Sequence, residues 1–244
     1  MNLDSNTTVR EVAVQMPQST RIFERLKIDY CCGGNTPLVE ACANAGVAVS
    51  DLEKMLAQDG IATSGPPVET DFQAASLAEL IDHILSKHHV FTKTEMVRLQ
   101  ALLTKVVDVH GQNHPELHRV ESMFQTLCGD LNPHMFKEEQ VLFPYILELE
   151  SAHTQRRPVP FTPFGTVNNP IRMMMMEHDT AGEILRELRN LTTDYAIPAD
   201  ACISYQTLYS ALQEFEADLH QHIHLENNIL FPRAAEMEEA FAWR

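Results

Sequence analysis

The feature that most restricts this chain is a motif written twice. HMFKEEQVLFP (residues 134–144) and HIHLENNILFP (residues 222–232) both read His, three residues, Glu, three residues, Leu-Phe-Pro. The offset is 88 residues, from 134 to 222 and again from 138 to 226. A His and a Glu four positions apart project from one helix face, one turn from each other. Each pair also interrupts an apolar stripe. Val120, Phe124, Leu127 and Leu131 lead to His134 and Glu138, and Val141 and Tyr145 follow. Tyr205, Leu208, Leu212, Phe215 and Leu219 lead to His222 and Glu226, with Ile229 beyond. Spacings of three and four make both stretches seams of a helical bundle. Titratable groups on a buried seam require a partner, so the duplicated pair points to a bound metal.

A duplication also implies a repeated upstream helix, and each half has one. His178 lies on the stripe of Met174, Ala181, Leu185 and Leu188. The other half offers His88, which continues Ile81 and Ile84, or His89, which follows Leu85 and leads to Met96, Leu99 and Leu103. Periodicity leaves that choice open. Four histidines and two glutamates from four helices form the imidazole–carboxylate mixture that holds paired iron or manganese ions inside a bundle. Zinc usually takes four ligands and needs no second ion, so six matched donors argue against a single zinc. Positions left open on such ions admit a small molecule. The remaining histidines, His83, His110, His114, His118, His153, His220 and His224, read as solvated, and Cys42, Cys128 and Cys202 as core thiols.

No segment alternates apolar and polar residues with a period of two, so the expected class is all-α. Residues 1–60 form a small helical module, with short helices expected over Thr8 to Met16, Ser19 to Leu26, Pro37 to Ala45 and Ser50 to Gln58. Residues 61–75 are a linker, within and beyond the run DGIATSGPPVET. Residues 76–235 form the bundle and 236–244 a tail. The first long helix opens on a capping box, Ser76 with Glu79, and runs to about Asp108. The others are expected from Pro115 to about Glu150, Asn169 to Thr193, and Pro198 to about Arg233. Asn132-Pro133 either kinks the second helix or breaks it, with Asn132 as a new cap.

Charge narrows the partners. Eighteen Lys and Arg against 34 Asp and Glu leave −16, which repels phosphate backbones and anionic lipid. Nucleic acid and membrane surfaces are therefore not expected partners. No stretch nears the roughly 18 apolar residues of a membrane span, and MNLDSNTTVREV has neither the basic nor the apolar part of a signal peptide, so a cytoplasmic location is expected. Five cysteines, two of them adjacent at Cys31 and Cys32, make no disulfide framework, and reduced thiols are the better assumption.

Together with DYCCGG (residues 29–34), the two repeated motifs resemble the repair of iron centres family. The resemblance covers the chain from about Val9 to Pro232. It implies a hemerythrin-like four-helix bundle behind a short cysteine module, a centre of two iron ions, and a cytoplasmic role in restoring iron–sulfur clusters damaged by nitric oxide or oxidants. Carried over position by position, it places iron ligands at His89, His134, His178 and His222, with Glu138 and Glu226 as bridging carboxylates. It thereby selects His89 over His88. It also assigns a working role to Cys31 and Cys32, whose thiols can bind iron or pass through a disulfide-type step and would have lowered pKa values near a helix start. Damaged iron–sulfur proteins are the implied partners, with nitric oxide or oxygen as small ligands, and a homodimer is left open. Iron donation and nitric oxide reduction, the latter making the protein an enzyme, use the same ligands. The alternative from another class is a hemerythrin-like oxygen or nitric oxide carrier or sensor without turnover.

Overall fold

The protein is described here by a computed structural model covering residues 7–62 and 71–241. Four short helices come first: α1 (Val9–Gln15), α2 (Ser19–Leu26), α3 (Leu38–Asn44) and α4 (Val49–Ala62). A capping box starts α1, with Thr8 accepting from the Glu11 amide and Glu11 reaching back to Thr8. Val9, Val12, Ile22, Phe23, Leu38 and Leu52 close a small apolar core among them. Helix α4 continues into the segment expected as linker, and residues 63–70 lie outside the described ones.

Four long helices follow. Helix α5 (77–110) joins Leu77–His83 to Val90–His110 through a π-helical turn, Ile84–His89. Helix α6 (116–154) joins Glu116–Lys137 to Phe143–Thr154 through a π turn, Glu138–Leu142, and α7 is Asn168–Leu191. Helix α8 (203–239) joins Ile203–Leu225 to Phe231–Glu239 through a π turn, Glu226–Leu230. Helix α6 packs against α5 and α7, and α8 against α5. Each π turn holds one residue more than an α turn and rotates the face that follows it. Those in α6 and α8 obey the same 88-residue offset as the motif, from 138 to 226 and from 142 to 230.

Two expectations change for that reason. Val141, placed on the seam by a constant helical period, is 46% exposed, and Leu142 is buried in its place. On α5 the π turn brings both His88 and His89 inside, each 1% exposed, so neither phase alone describes the helix. Helix α6 runs through Pro133 without a break: the ring sits on the exposed face, and Asn132 Nδ2 donates to Cys128 O at 2.8 Å instead of capping a new helix. Helix α8 starts at Ile203, five residues after Pro198, with extended Cys202 as its N-cap.

The bundle has two apolar clusters. One gathers Leu99, Leu103, Phe124, Leu127, Leu185 and Phe215, and the other Leu80, Ile84, Leu142, Ile146, Met174 and Leu230. On every long helix the His or Glu of the motif falls between residues of the first cluster and residues of the second. A polar layer thus crosses an otherwise apolar bundle.

The small module rests on the outer face of α8. Asn228 Nδ2 donates to Tyr30 O at 3.0 Å, Arg10 donates to Asn228 O at 3.2 Å, and Gln221 donates to the Tyr30 hydroxyl at 3.1 Å. Lys27 pairs with Asp194 and Glu24 with His220, at 2.7 and 2.6 Å. Gly34 makes this approach feasible, since a Cβ there would stand 3.0 Å from Asn228 Oδ1 and 3.1 Å from Arg10 Cβ.

Candidate metal centre

Six side chains meet in the polar layer: His89 from α5, His134 and Glu138 from α6, His178 from α7, His222 and Glu226 from α8. All are buried, at 0–2% exposure. They fall into two groups that share both carboxylates. In the first, His89 Nε2 lies 3.4 Å from Glu138 Oε2 and His222 Nε2 lies 3.0 Å from Glu226 Oε1. In the second, His134 Nε2 lies 3.3 Å from Glu138 Oε1 and His178 Nε2 lies 3.2 Å from Glu226 Oε2. Each glutamate therefore offers one oxygen to each histidine pair. Within each group the four donor atoms lie within 4.8 Å of one another.

The donor chemistry fits metal ions. Both Glu138 oxygens and Glu226 Oε2 are buried without a hydrogen bond, a costly state for a carboxylate unless a cation completes it. The Nε2 atoms of His89 and His222 face each other at 3.1 Å, and those of His134 and His178 at 3.0 Å. Two imidazole nitrogens pointing together present converging lone pairs to a cation.

Behind this layer, outer groups fix the rings. His89 Nδ1 lies 2.7 Å from Glu139 Oε1, which also takes Lys93. His134 Nδ1 lies 2.8 Å from Glu177 Oε2, whose other oxygen takes Lys137. His178 Nδ1 lies 2.9 Å from Asn227 Oδ1. His222 Nδ1 is buried without a partner, and the His88 ring stands parallel to His222 at 5.7 Å. His88 itself pairs with Asp218 at 3.0 Å.

Within the layer the carboxylates and imidazoles shift one another. Burial, with Glu226 opposite, raises the Glu138 pKa, but His134 and His89 outweigh both and hold it below the usual range. Burial lowers the His134 pKa, yet Glu138, Glu226 and the hydrogen bond to Glu177 carry it up to about 9. For His222 burial prevails and the pKa falls. Metal binding therefore displaces protons from part of the site.

The cysteine pair sits beside α8. Asp29 Oδ1 accepts the amides of Cys31, Cys32 and Gly33 at 3.2, 2.9 and 2.9 Å. Asp29, Cys31 and Cys32 together could hold a metal. Asn227 Nδ2 reaches Cys31 O at 3.4 Å, so one amide joins the cysteine turn to His178. The expected lowering of the thiol pKa does not hold at Cys31. Its hydrogen bond to Cys32, then burial, raise it, and Cys32 and Asp29 add to the rise.

Residues 80–234 match the hemerythrin HHE cation binding domain, and residues 5–59 match a domain of unknown function, DUF542 or ScdA_N. The chain is 37% identical over 223 residues to a Haemophilus influenzae protein named "Probable iron-sulfur cluster repair protein", covering 91% of this chain and 94% of that one. It is 34% identical over 224 residues to the iron-sulfur cluster repair protein YtfE of Citrobacter koseri and to that of Escherichia coli, covering 92% of this chain and 94% of theirs.

The chain belongs to this family of iron–sulfur cluster repair proteins.

The family's bundle domain spans all six layer residues, and its N-terminal domain spans Cys31 and Cys32. Among the described residues no helix is long and apolar enough to cross a membrane. Three residues depart from their expected surroundings. His224, read as solvated, is 3% exposed, against Asn228 and the Tyr30 ring, because the small module covers it. His110 is buried too, with Nε2 3.2 Å from Cys202 Sγ. Cys202, read as a core thiol, is exposed at the N-terminus of α8, where the His110 contact lowers its pKa. Sequence reasoning also missed Glu139, Glu177 and Asn227 as supports for the layer. The signal was present, since residues 139 and 227 each follow a motif glutamate by one position.

Proposed function

We propose that this protein repairs iron–sulfur clusters damaged by nitrosative or oxidative stress, acting in the cytoplasm on damaged iron–sulfur proteins from a centre of two iron ions. His89 and His222 would hold one ion and His134 and His178 the other, with Glu138 and Glu226 shared between them. The arrangement of both carboxylates, each giving one oxygen to each histidine pair in a buried layer, is the observation that carries this reading. When bound, the ions supply redox chemistry and a store of ferrous iron. The apolar clusters on both sides keep bulk water from the layer, and Glu139, Glu177 and Asn227 hold the rings of His89, His134 and His178 in place.

Cys31 and Cys32 stand on the covering module (1–60), joined to the bundle (76–235) by the linker (61–75), as thiols able to take up iron. Cys32 is the more accessible of the two, and its Sγ lies 3.9 Å from that of Cys31. Iron donation gives these thiols a role, whereas simple oxygen carriage does not.

Mixing the anaerobically loaded protein with an enzyme whose cluster has been broken by nitric oxide tests the reading. Regained client activity, with equivalent iron lost from this chain, is the expected result, and Cys31→Ser with Cys32→Ser should slow the transfer. Consumption of nitric oxide to nitrous oxide with no iron transferred would assign the centre to gas reduction instead. Reversible oxygen binding with neither outcome would make it a carrier.

A further inference from the structure

The two histidine pairs are alike in their ligands and unlike in what stands behind them. His134 and His178 both have an Nδ1 acceptor, Glu177 and Asn227. In the other pair only His89 has one, and His222 Nδ1 is buried without a partner. The difference follows from one position in the repeat. Glu177 precedes His178 and supports His134 across the bundle. Its counterpart precedes His89 and is His88, which turns its Nδ1 to Asp218 and only stacks on His222.

His88 also lines a cavity of about 410 Å³ between the small module and the bundle, together with His83, Lys87, Gln221, Tyr30 and His224. Asp218 Oδ2 is buried with no hydrogen bond, and the His83 ring lies 5.5 Å from that of His88. An unengaged carboxylate oxygen, on Asp218, thus stands beside the imidazole that stacks on His222, and that imidazole and His83 both line the cavity. A missing outer partner typically lowers metal affinity by about 10–100-fold.

We propose that the two metal positions are unequal, and that the ion held by His89 and His222 is the exchangeable one, leaving past His88 and Asp218 into the cavity. The ion held by His134 and His178 is the retained one. This inference rests on the two-iron reading above and names which ion is the cargo.

The test loads the full chain with ferrous iron under anaerobic conditions, counts the metal, and then follows its removal by an excess of a chromophoric ferrous chelator. Two phases of one equivalent each are expected. His88→Gln provides an amide that can accept from His222 Nδ1 while donating to Asp218, and should slow the first phase by about 10–100-fold. Glu177→Ala should instead quicken the second phase by a similar factor and leave the first unchanged. Release of both ions in one phase from the unaltered protein overturns the inference but leaves the two-iron reading intact. So does a fast phase that responds to Glu177→Ala and not to His88→Gln. Fewer than two ions bound at the outset overturns both. Circular dichroism of each variant reports folding, and Glu177→Ala tests the assignment independently if His88→Gln does not fold.

Discussion

The two copies of the motif share a frame and differ in everything that faces outward. In the first copy Phe136 is 63% exposed, Val141 is 46% exposed, and Lys137 and Glu139 are half-buried. In the second the equivalent positions are His224, Ile229, Leu225 and Asn227, and every residue from 222 to 231 is buried. The cause is the small module, which covers the second copy and leaves the first open. Where the helix is covered, charged outer residues give way to amides and apolar groups: Glu139 corresponds to Asn227 and Gln140 to Asn228. The inward residues, His and Glu, do not change. The repeat thus keeps the donors of the layer, and the residues around them differ with the docking of the small module.

The largest effect expected concerns what the copies share. Glu138→Leu and Glu226→Leu each remove a carboxylate that serves both groups, so each should take the bound metal from two ions per chain to one or none. Elemental analysis checks this, and two retained ions in both variants would break the equivalence of the copies. Next is the apolar layer. Phe124 and Phe215 are fully enclosed, with ring centroids 5.5 Å apart, and Phe124→Ala should cost about 3–5 kcal/mol in a denaturant titration without changing the number of metals.

A sharper contrast lies between equivalent positions. Asn228→Ala removes the donor to Tyr30 O and should cost about 1–3 kcal/mol and quicken amide exchange over residues 28–36. Gln140→Ala, exposed at the matching place, should stay within about 0.5 kcal/mol. The smallest effect is expected far from both copies, at Cys202. Because His110 lowers its pKa, its reactive thiolate persists to lower pH than that of an ordinary thiol. Alkylation of Cys202 should therefore outpace that of buried Cys128, which burial raises to about 12, and its pH midpoint should rise in His110→Phe. Metal content should not change.

The same contrast explains what could be read from sequence. A His and a Glu one turn apart on an apolar stripe are visible because the helical period is constant up to that point, and this fixed both pairs and the fold class. The π turns end that constancy, which is why spacing does not choose between His88 and His89 and why a constant period puts Val141 inside. The burial of His224 depends on Asn228, Gly34 and Tyr30 meeting across the chain, a contact with no local period. Cys202 is exposed and not a core thiol because α8 starts at Ile203, where an extended N-cap holds the thiol at the surface.

The most direct test is a Mössbauer spectrum of anaerobically reconstituted, then oxidised protein, with iron counted on the same sample. Two irons per chain forming a single antiferromagnetically coupled pair is the predicted result, because both glutamates bridge the two histidine pairs. One ion per chain, or two that behave as magnetically isolated ferric sites, would contradict the account.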